Sequence, residues 1–294
     1  MQKYTIKTLQ YKDGILNNCV DVTYIIHLEG NGREPDIMKQ LQKIHPTNTV
    51  HIVYNKGYRK CGKDLGITTT YDDLIHCYLW IFEHYKSSQN DNATRKKNVL
   101  ILEDDFIFND KIAEIETRKQ IENTLETIQH NRFSFRLGCI PFLMFPCTAY
   151  AYTGFAGGTH CIIYNEKCID YTLSNREYIT DWDVYCNIHT KQYIYNEPLC
   201  YQLIPETENQ KTWGDGNIFS KIMAWIFIKY LQLLRLDKQV EPGYSIAYKI
   251  GLLFAFILLC LVLYIFYYVF SNYEKLIYFL KYISKTRSSG LRRR

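Results

Sequence analysis

Val20 to Leu28 and Val99 to Leu102 are nearly uninterrupted apolar runs, the pattern of short strands buried on both faces. The first is followed by a polar loop, Glu29 to Pro35, and by helical spacing from Asp36 to Ile44. Val50 to Tyr54 is a further short strand. Thr70 is placed to cap a helix that carries Asp72 and Asp73 in its first turn and runs to Tyr85. Glu114 to Gln129 and Glu166 to Leu173 also have helical spacing, as does the segment that Thr180 to Asp183 opens and that continues through Tyr185 to Ile188. Phe133 to Ala149 is too apolar for an exposed loop and predicts a strand broken by Pro141 and Pro146. Cys161 to Tyr164 is another buried run, and Tyr193 to Gln202 reads as a closing strand and turn. Met1 to Asn18 predicts a peripheral strand or a hairpin around Asp13-Gly14. Strands alternate with helices, so the expected architecture is α/β with a mostly parallel sheet, spanning residues 20–216 behind an N-terminal segment of residues 1–19.

The pattern changes beyond residue 216. Asn217 to Leu236 presents a broad apolar face with Lys221, Lys229 and Arg235 expected on the other side. That suits a helix lying in a membrane interface, or one packed on the domain. Ile250 to Phe270 contains no charge in 21 residues, which as a helix is about 32 Å, enough to cross a hydrocarbon core. Tyr244, Tyr248, Tyr267, Tyr268 and Tyr273 border it as interface aromatics do. The expected organisation is therefore an interfacial helix and linker over 217–249, a transmembrane helix over 250–270, and a basic tail over 271–294 suited to anionic headgroups. The basic tail and the late anchor favour opposite orientations, and a cytosol-facing domain is the reading adopted. The sequon Asn92-Ala93-Thr94 offers a probe of it.

Charge excludes one class of function. The net charge of +5 comes from the tail, since Ser271 to Arg294 holds seven of the 35 basic residues and one of the 30 acids. The body is nearly neutral and lacks the basic field of a nucleic-acid binder, which also argues against a metal-dependent nuclease or nucleotidyltransferase. Ten cysteines without a C-x-x-C pair fit reduced thiols better than a zinc site or a disulfide framework.

Candidate chemistry centres on Glu103-Asp104-Asp105, three carboxylates that end the run Val99 to Leu102. Ligands in open α/β sheets bind at the carboxyl ends of strands, and hard divalent cations take oxygen ligands. In an extended segment Glu103 and Asp105 share one face, the candidate metal side, and Asp104 takes the other. Lys56 lies in a basic loop, Asn55 to Lys60, that can meet a diphosphate. His76 and Trp80 share a helix face. Gly157-Gly158-Thr159-His160 suggests close backbone approach before a strand, and Asp181 and Asp183 either cap a helix or act on substrate.

In their order these landmarks resemble glycosyltransferase family 25, the lipopolysaccharide-type and collagen-type sugar transferases, over Val20 to Trp213. The resemblance rests on the opening strand and loop from Tyr24 to Arg33, His76-x-x-x-Trp80, Leu102 to Asp105, Gly158-x-His160, the acids Asp181 and Asp183, and Pro198-Leu199-x-x-Gln202. Thr68-Thr69-Thr70 and Ile75 depart from the family's Gly-Cys and Ser. The resemblance implies a Rossmann-like, GT-A-type fold and an inverting transfer of a hexose from a nucleotide-diphosphate donor, most often uridine diphosphate, to a glycan, protein or lipid hydroxyl. It also implies Mn²⁺ or Mg²⁺ on Glu103 and Asp105, donor contacts from Arg33, Lys56, His76, Trp80, Asp104 and His160, and a base among Asp181 and Asp183, with Asp183 favoured. A non-catalytic membrane interaction protein that keeps the fold is the alternative.

Overall fold

A computed structural model describes residues 3–60, 66–88, 97–204, 218–273 and 277; the sequon at Asn92 and the basic tail lie outside the described residues. The chain divides into two compact units, Met1–Gly251 and Leu252–Arg294. The first holds a seven-stranded sheet in the order β1-β3-β2-β4-β7-β6-β8. These strands are β1 (Tyr4–Gln10), β2 (Val22–Leu28), β3 (Thr49–Asn55), β4 (Asn98–Glu103), β6 (Phe133–Pro146), β7 (Ala151–Asn165) and β8 (Lys191–Tyr195). A separate pair joins β5 (Phe106–Phe108) to β9 (Cys200–Gln202).

The expected parallel arrangement holds at the centre, where β2 lies parallel to both β3 and β4. Around it the sheet is mixed. β1 closes one edge antiparallel to β3, and β7 runs antiparallel to β4 and β6. Met1 to Asn18 therefore supplies a paired edge strand rather than a hairpin.

Because β2, β3 and β4 are covered on both faces, their side chains divide between two cores by simple alternation. Leu100 and Leu102 join Ile25, Ile52 and the helices α1 (Glu34–Lys43) and α3 (Ile115–Ile128). Val99 and Ile101 join Tyr24, Ile26 and the helices α2 (Thr70–Ser87), α4 (Glu166–Ser174) and α5 (Trp182–His189). The same alternation turns Glu103, the last residue of β4, towards α2. The cap of α2 is Thr69 rather than Thr70: its hydroxyl accepts from the Asp72 amide, and the Asp72 carboxylate accepts from Thr68 and Thr69.

Pro141 does not break its strand. β6 runs through it, pairing Pro141 with Ala156, and the register shifts on either side absorb the missing amide donor. Pro146 is the last residue of β6. At Gly138 the strand passes so close to β9 that a Cβ would strike the Cys200 carbonyl and the His160 ring.

The helices α6 (Ile218–Leu233) and α7 (Gly243–Ser271) follow. Leu231, Leu234 and Leu236 form a third core with Tyr244 and Ala247 from the first turns of α7, against Ile140 and Tyr201. α7 is long and apolar enough to cross a membrane, with 11% of its most apolar window buried.

Gly138→Ala is expected to destabilise the folded unit by about 1–3 kcal/mol through overpacking. Comparison of its melting temperature with that of the wild type checks this.

Candidate active site

The carboxyl ends of the three central parallel strands open into one cleft of about 410 Å³. Leu28, Asn55 and Glu103 end the strands there; Glu29 to Asn31 and Lys56 to Lys60 form the loops, and Thr70, Asp73 and Leu74 come from the start of α2. The two loops meet across the mouth, with Lys60 Nζ over Gly30. Gly57 has φ +73, a conformation that side chains disfavour, and it lets the basic loop turn against Leu28. One lip thus carries Lys56, Arg59 and Lys60, and the floor carries acid.

The acids do not sit as an extended strand would place them. The chain turns at Asp104-Asp105, so Asp104 and Asp105 come together on Arg33 while Glu103 faces elsewhere. Asp104 Oδ2 accepts from His27 Nδ1 (3.2 Å), the Leu28 amide (3.0 Å) and Asn31 Nδ2 (2.5 Å), and Oδ1 accepts from Arg33 (2.7 Å). Burial opposes its ionisation, but the bonds from His27 and Arg33 win and hold it below the usual carboxylate range. With its acceptors occupied, Asp104 is a strut for the loop after β2.

Asp105 Oδ2 accepts from Arg33 and from Gln202 Nε2, both at 2.8 Å, whereas its buried Oδ1 has no hydrogen-bond partner among the described residues. Glu103 accepts from Tyr78 at 3.3 Å and from the Thr159 hydroxyl. Burial, with Asp105, Asp183 and Asp104 nearby, pushes its carboxyl up to about 8. Burial raises Asp105 too, against the pull of Arg33.

An orphaned carboxylate oxygen beside a second under-compensated carboxylate suits a hard cation. Among the described residues no group of three or more His, Cys, Asp or Glu is arranged to hold a metal alone. An ion of the Mg²⁺ or Mn²⁺ kind needs only one or two protein carboxylates and completes its shell with phosphate oxygens and water, and Asp105 and Glu103 are the residues that would hold it.

The pair Asp181 and Asp183 is separated by the fold. Asp181 caps α5, its carboxylate accepting from the Val184 amide at 2.8 Å. Asp183 lies 3.4 Å from both terminal nitrogens of Arg136, a fully buried guanidinium that also donates to Gln192 and to the Gly158 carbonyl. Burial raises the proton affinity of Asp183 and Arg136 restrains it, yet 42% of its side chain stays open to solvent. It is a partly exposed carboxylate near enough to Glu103 to affect it.

Other predicted residues lie elsewhere. His76 and Trp80 share a face of α2 as expected, but that face packs on Tyr4 of the edge strand, with Tyr4 Oη 2.6 Å from His76 Nδ1, and neither residue lines the cleft. His160 is fully buried: Nε2–H donates to the Cys200 carbonyl at 3.2 Å, and Nδ1 has no hydrogen-bond partner among the described residues.

Sequence reasoning missed the supports. Tyr78 and Arg136 carry no motif, and Thr159 enters only as the unspecified middle residue of Gly158-x-His160. Gln202 was part of one, but its role appears only with Tyr244, whose hydroxyl accepts from the Gln202 amide and donates to the Gln202 carbonyl, each at 3.0 Å. The first turn of α7 thus fixes the residue that holds Asp105.

Burial lowers His160 to about 4. The unfolded chain, with histidine near 6.5, then binds more protons between those values, so stability is complete above pH 6.5 and falls on acidification, by on the order of 3 kcal/mol for this group. His51 is lowered to about 4 as well, by burial and then by His84. Because the raised carboxyl of Glu103 adds stability on acidification over part of the same range, the test is a difference: the gap in melting temperature between wild type and His160→Gln should shift in favour of the variant as pH drops from 6.5 towards 4, and parallel profiles would contradict the assignment.

No family model matches the chain, and no curated protein does either. Among solved structures the chain is similar to a glycosyltransferase involved in the glycosylation of the major capsid of PBCV-1, at 13% identity, covering 57% of this chain and 73% of that one, with a TM-score of 0.32. A likeness this loose assigns neither fold nor reaction.

Proposed function

We propose that the protein is a membrane-anchored, metal-dependent inverting glycosyltransferase, moving a hexose from a nucleotide diphosphate to an acceptor hydroxyl. The observation that carries this reading is the cleft at the ends of β2, β3 and β4. It carries cations on one lip and the carboxylates of Glu103 and Asp104 on its floor; Asp105, with an oxygen unpaired among the described residues, follows them in the chain, and Asp183, 42% open to solvent, is near enough to Glu103 to raise its proton affinity. The resemblance of its sequence landmarks, in their order, to glycosyltransferase family 25 supports it, as does the nearly neutral body, which disfavours a nucleic-acid substrate.

In this reading Lys56, Arg59 and Lys60 meet the diphosphate, and Asn55, Asp73 and Leu74 supply the wall nearest the nucleoside. The acceptor oxygen bonds to the anomeric carbon as the bond from that carbon to the diphosphate oxygen breaks, and its electron pair leaves with the diphosphate. Asp183 takes the acceptor's proton, helped by the raised proton affinity that burial gives it. A divalent cation held by Glu103 and Asp105 would neutralise the leaving diphosphate. Asp104 and Arg33 shape the loop after β2, and Asp181 holds the start of α5.

The helix α7 is the candidate anchor. We place the catalytic unit on the cytosolic side, a reading supported by the unpaired state of every cysteine among the described residues.

Turnover is tested with the full chain in detergent, measuring nucleotide diphosphate released from uridine- and guanosine-diphosphate hexoses in Mn²⁺. Slow transfer to water is expected from at least one donor. Asp183→Asn should lower that rate by about 10²–10⁴ at an unchanged melting temperature. Asp181→Ala should lose about 0.5–2 kcal/mol of stability and keep its rate. Equal rates in wild type and Asp183→Asn would remove Asp183 from the chemistry, and donor binding without turnover on any acceptor tried would favour the non-catalytic alternative.

A further inference from the structure

The helix α6 is apolar on two opposite faces, and the fold accounts for one of them. Leu231, with Phe227 partly buried beside it and Leu234 just beyond the helix end, packs into the third core. On the far side Ile218, Ile222, Trp225, Ile226 and Leu233 are between 48% and 78% exposed. At helical spacing these five fall in one stripe roughly 100° wide. Lys229 lies within that stripe rather than opposite it, its Nζ donating to Gln232 Oε1 at 3.0 Å. The helix contains no acid.

We propose that this stripe is seated in the interfacial layer of a lipid bilayer, so that the catalytic unit rests on the membrane through α6 as well as being tethered by α7. Continuity with the candidate span supports that occupant. The inner face of α6 shares its core with Tyr244 and Ala247, which belong to the first turns of α7 and precede the uncharged run that opens at Ile250. A tryptophan among aliphatic residues, with a lysine long enough to lift its ammonium to the headgroups, is the composition of a surface-lying helix. A second copy of the chain fits less well, since a two-fold contact along the stripe would bring the two Lys229 charges together in an apolar seam. The inference concerns attachment and holds whatever reaction the cleft performs.

The test uses the full chain in nanodiscs of phosphatidylcholine brominated at a shallow acyl position, with Trp225→Phe subtracted to isolate the Trp225 emission. Loss of most of that emission in brominated lipid, with little quenching by aqueous iodide, is expected. Ile226→Asn, a change on the exposed face, should restore much of it at unchanged helix content. Quenching by iodide alone would place the stripe in water and overturn the proposal. Shielding from both quenchers would overturn it in favour of a protein cover, such as a second copy.

Discussion

The carboxyl edge of the sheet depends on one buried carboxylate. Asp104 gathers donors from the end of β2, from the loop that follows it and from Arg33. Each buried donor left without its acceptor would cost about 1–3 kcal/mol, so loop and strand end move together or not at all. Arg33 then reaches Asp105 as well and ties the second acid to the same frame. The loop after β2 and the acids at the end of β4 are therefore held together without a ligand.

The frame leaves an electrostatic imbalance. Asp104 and Asp105 share Arg33, the compensation goes mainly to Asp104, and Glu103 is held by the neutral hydroxyls of Tyr78 and Thr159. Glu103 and Asp105 are left with raised proton affinities, and Asp105 keeps an oxygen that nothing among the described residues satisfies. A fold selected only for stability has little reason to bury such a pair, since uncompensated charge is costly. A ligand that brings positive charge and takes oxygen donors resolves the imbalance, which is why the acids read as a binding feature. On the other side of Glu103, Arg136 is balanced by Asp183 and by neutral acceptors, and Asp183 keeps contact with water.

Much of the fold was legible because its central strands are pure apolar runs and its helices have clear periods. β2, β3, β4, α1, α2 and α3 fall within a few residues of where the pattern puts them. The length of β7 was not legible: its first half is glycine-rich and polar, and only pairing with β6 makes it a strand. Pro141 misled for the same reason, since a bulge is a property of two strands. In the site, Glu103 to Asp105 and the basic loop could be found from strand-end logic. The face on which each acid lies could not, because it depends on the turn at Asp104-Asp105. His76 and Trp80 share a face as spacing requires, yet which surface that face meets is decided by the edge strand β1.

The central claim is that the strand-end cleft binds a nucleoside diphosphate together with a divalent cation, and calorimetry on the full chain addresses it without knowledge of the acceptor. Uridine and guanosine diphosphates are titrated with and without Mn²⁺, in the wild type and in Glu103→Ala and Asp105→Ala. The account predicts saturable binding of at least one nucleotide that strengthens with Mn²⁺, and loss of that Mn²⁺ dependence in both variants while they stay folded. Absence of binding to the folded wild type, or Mn²⁺-dependent binding that survives both substitutions, would contradict it.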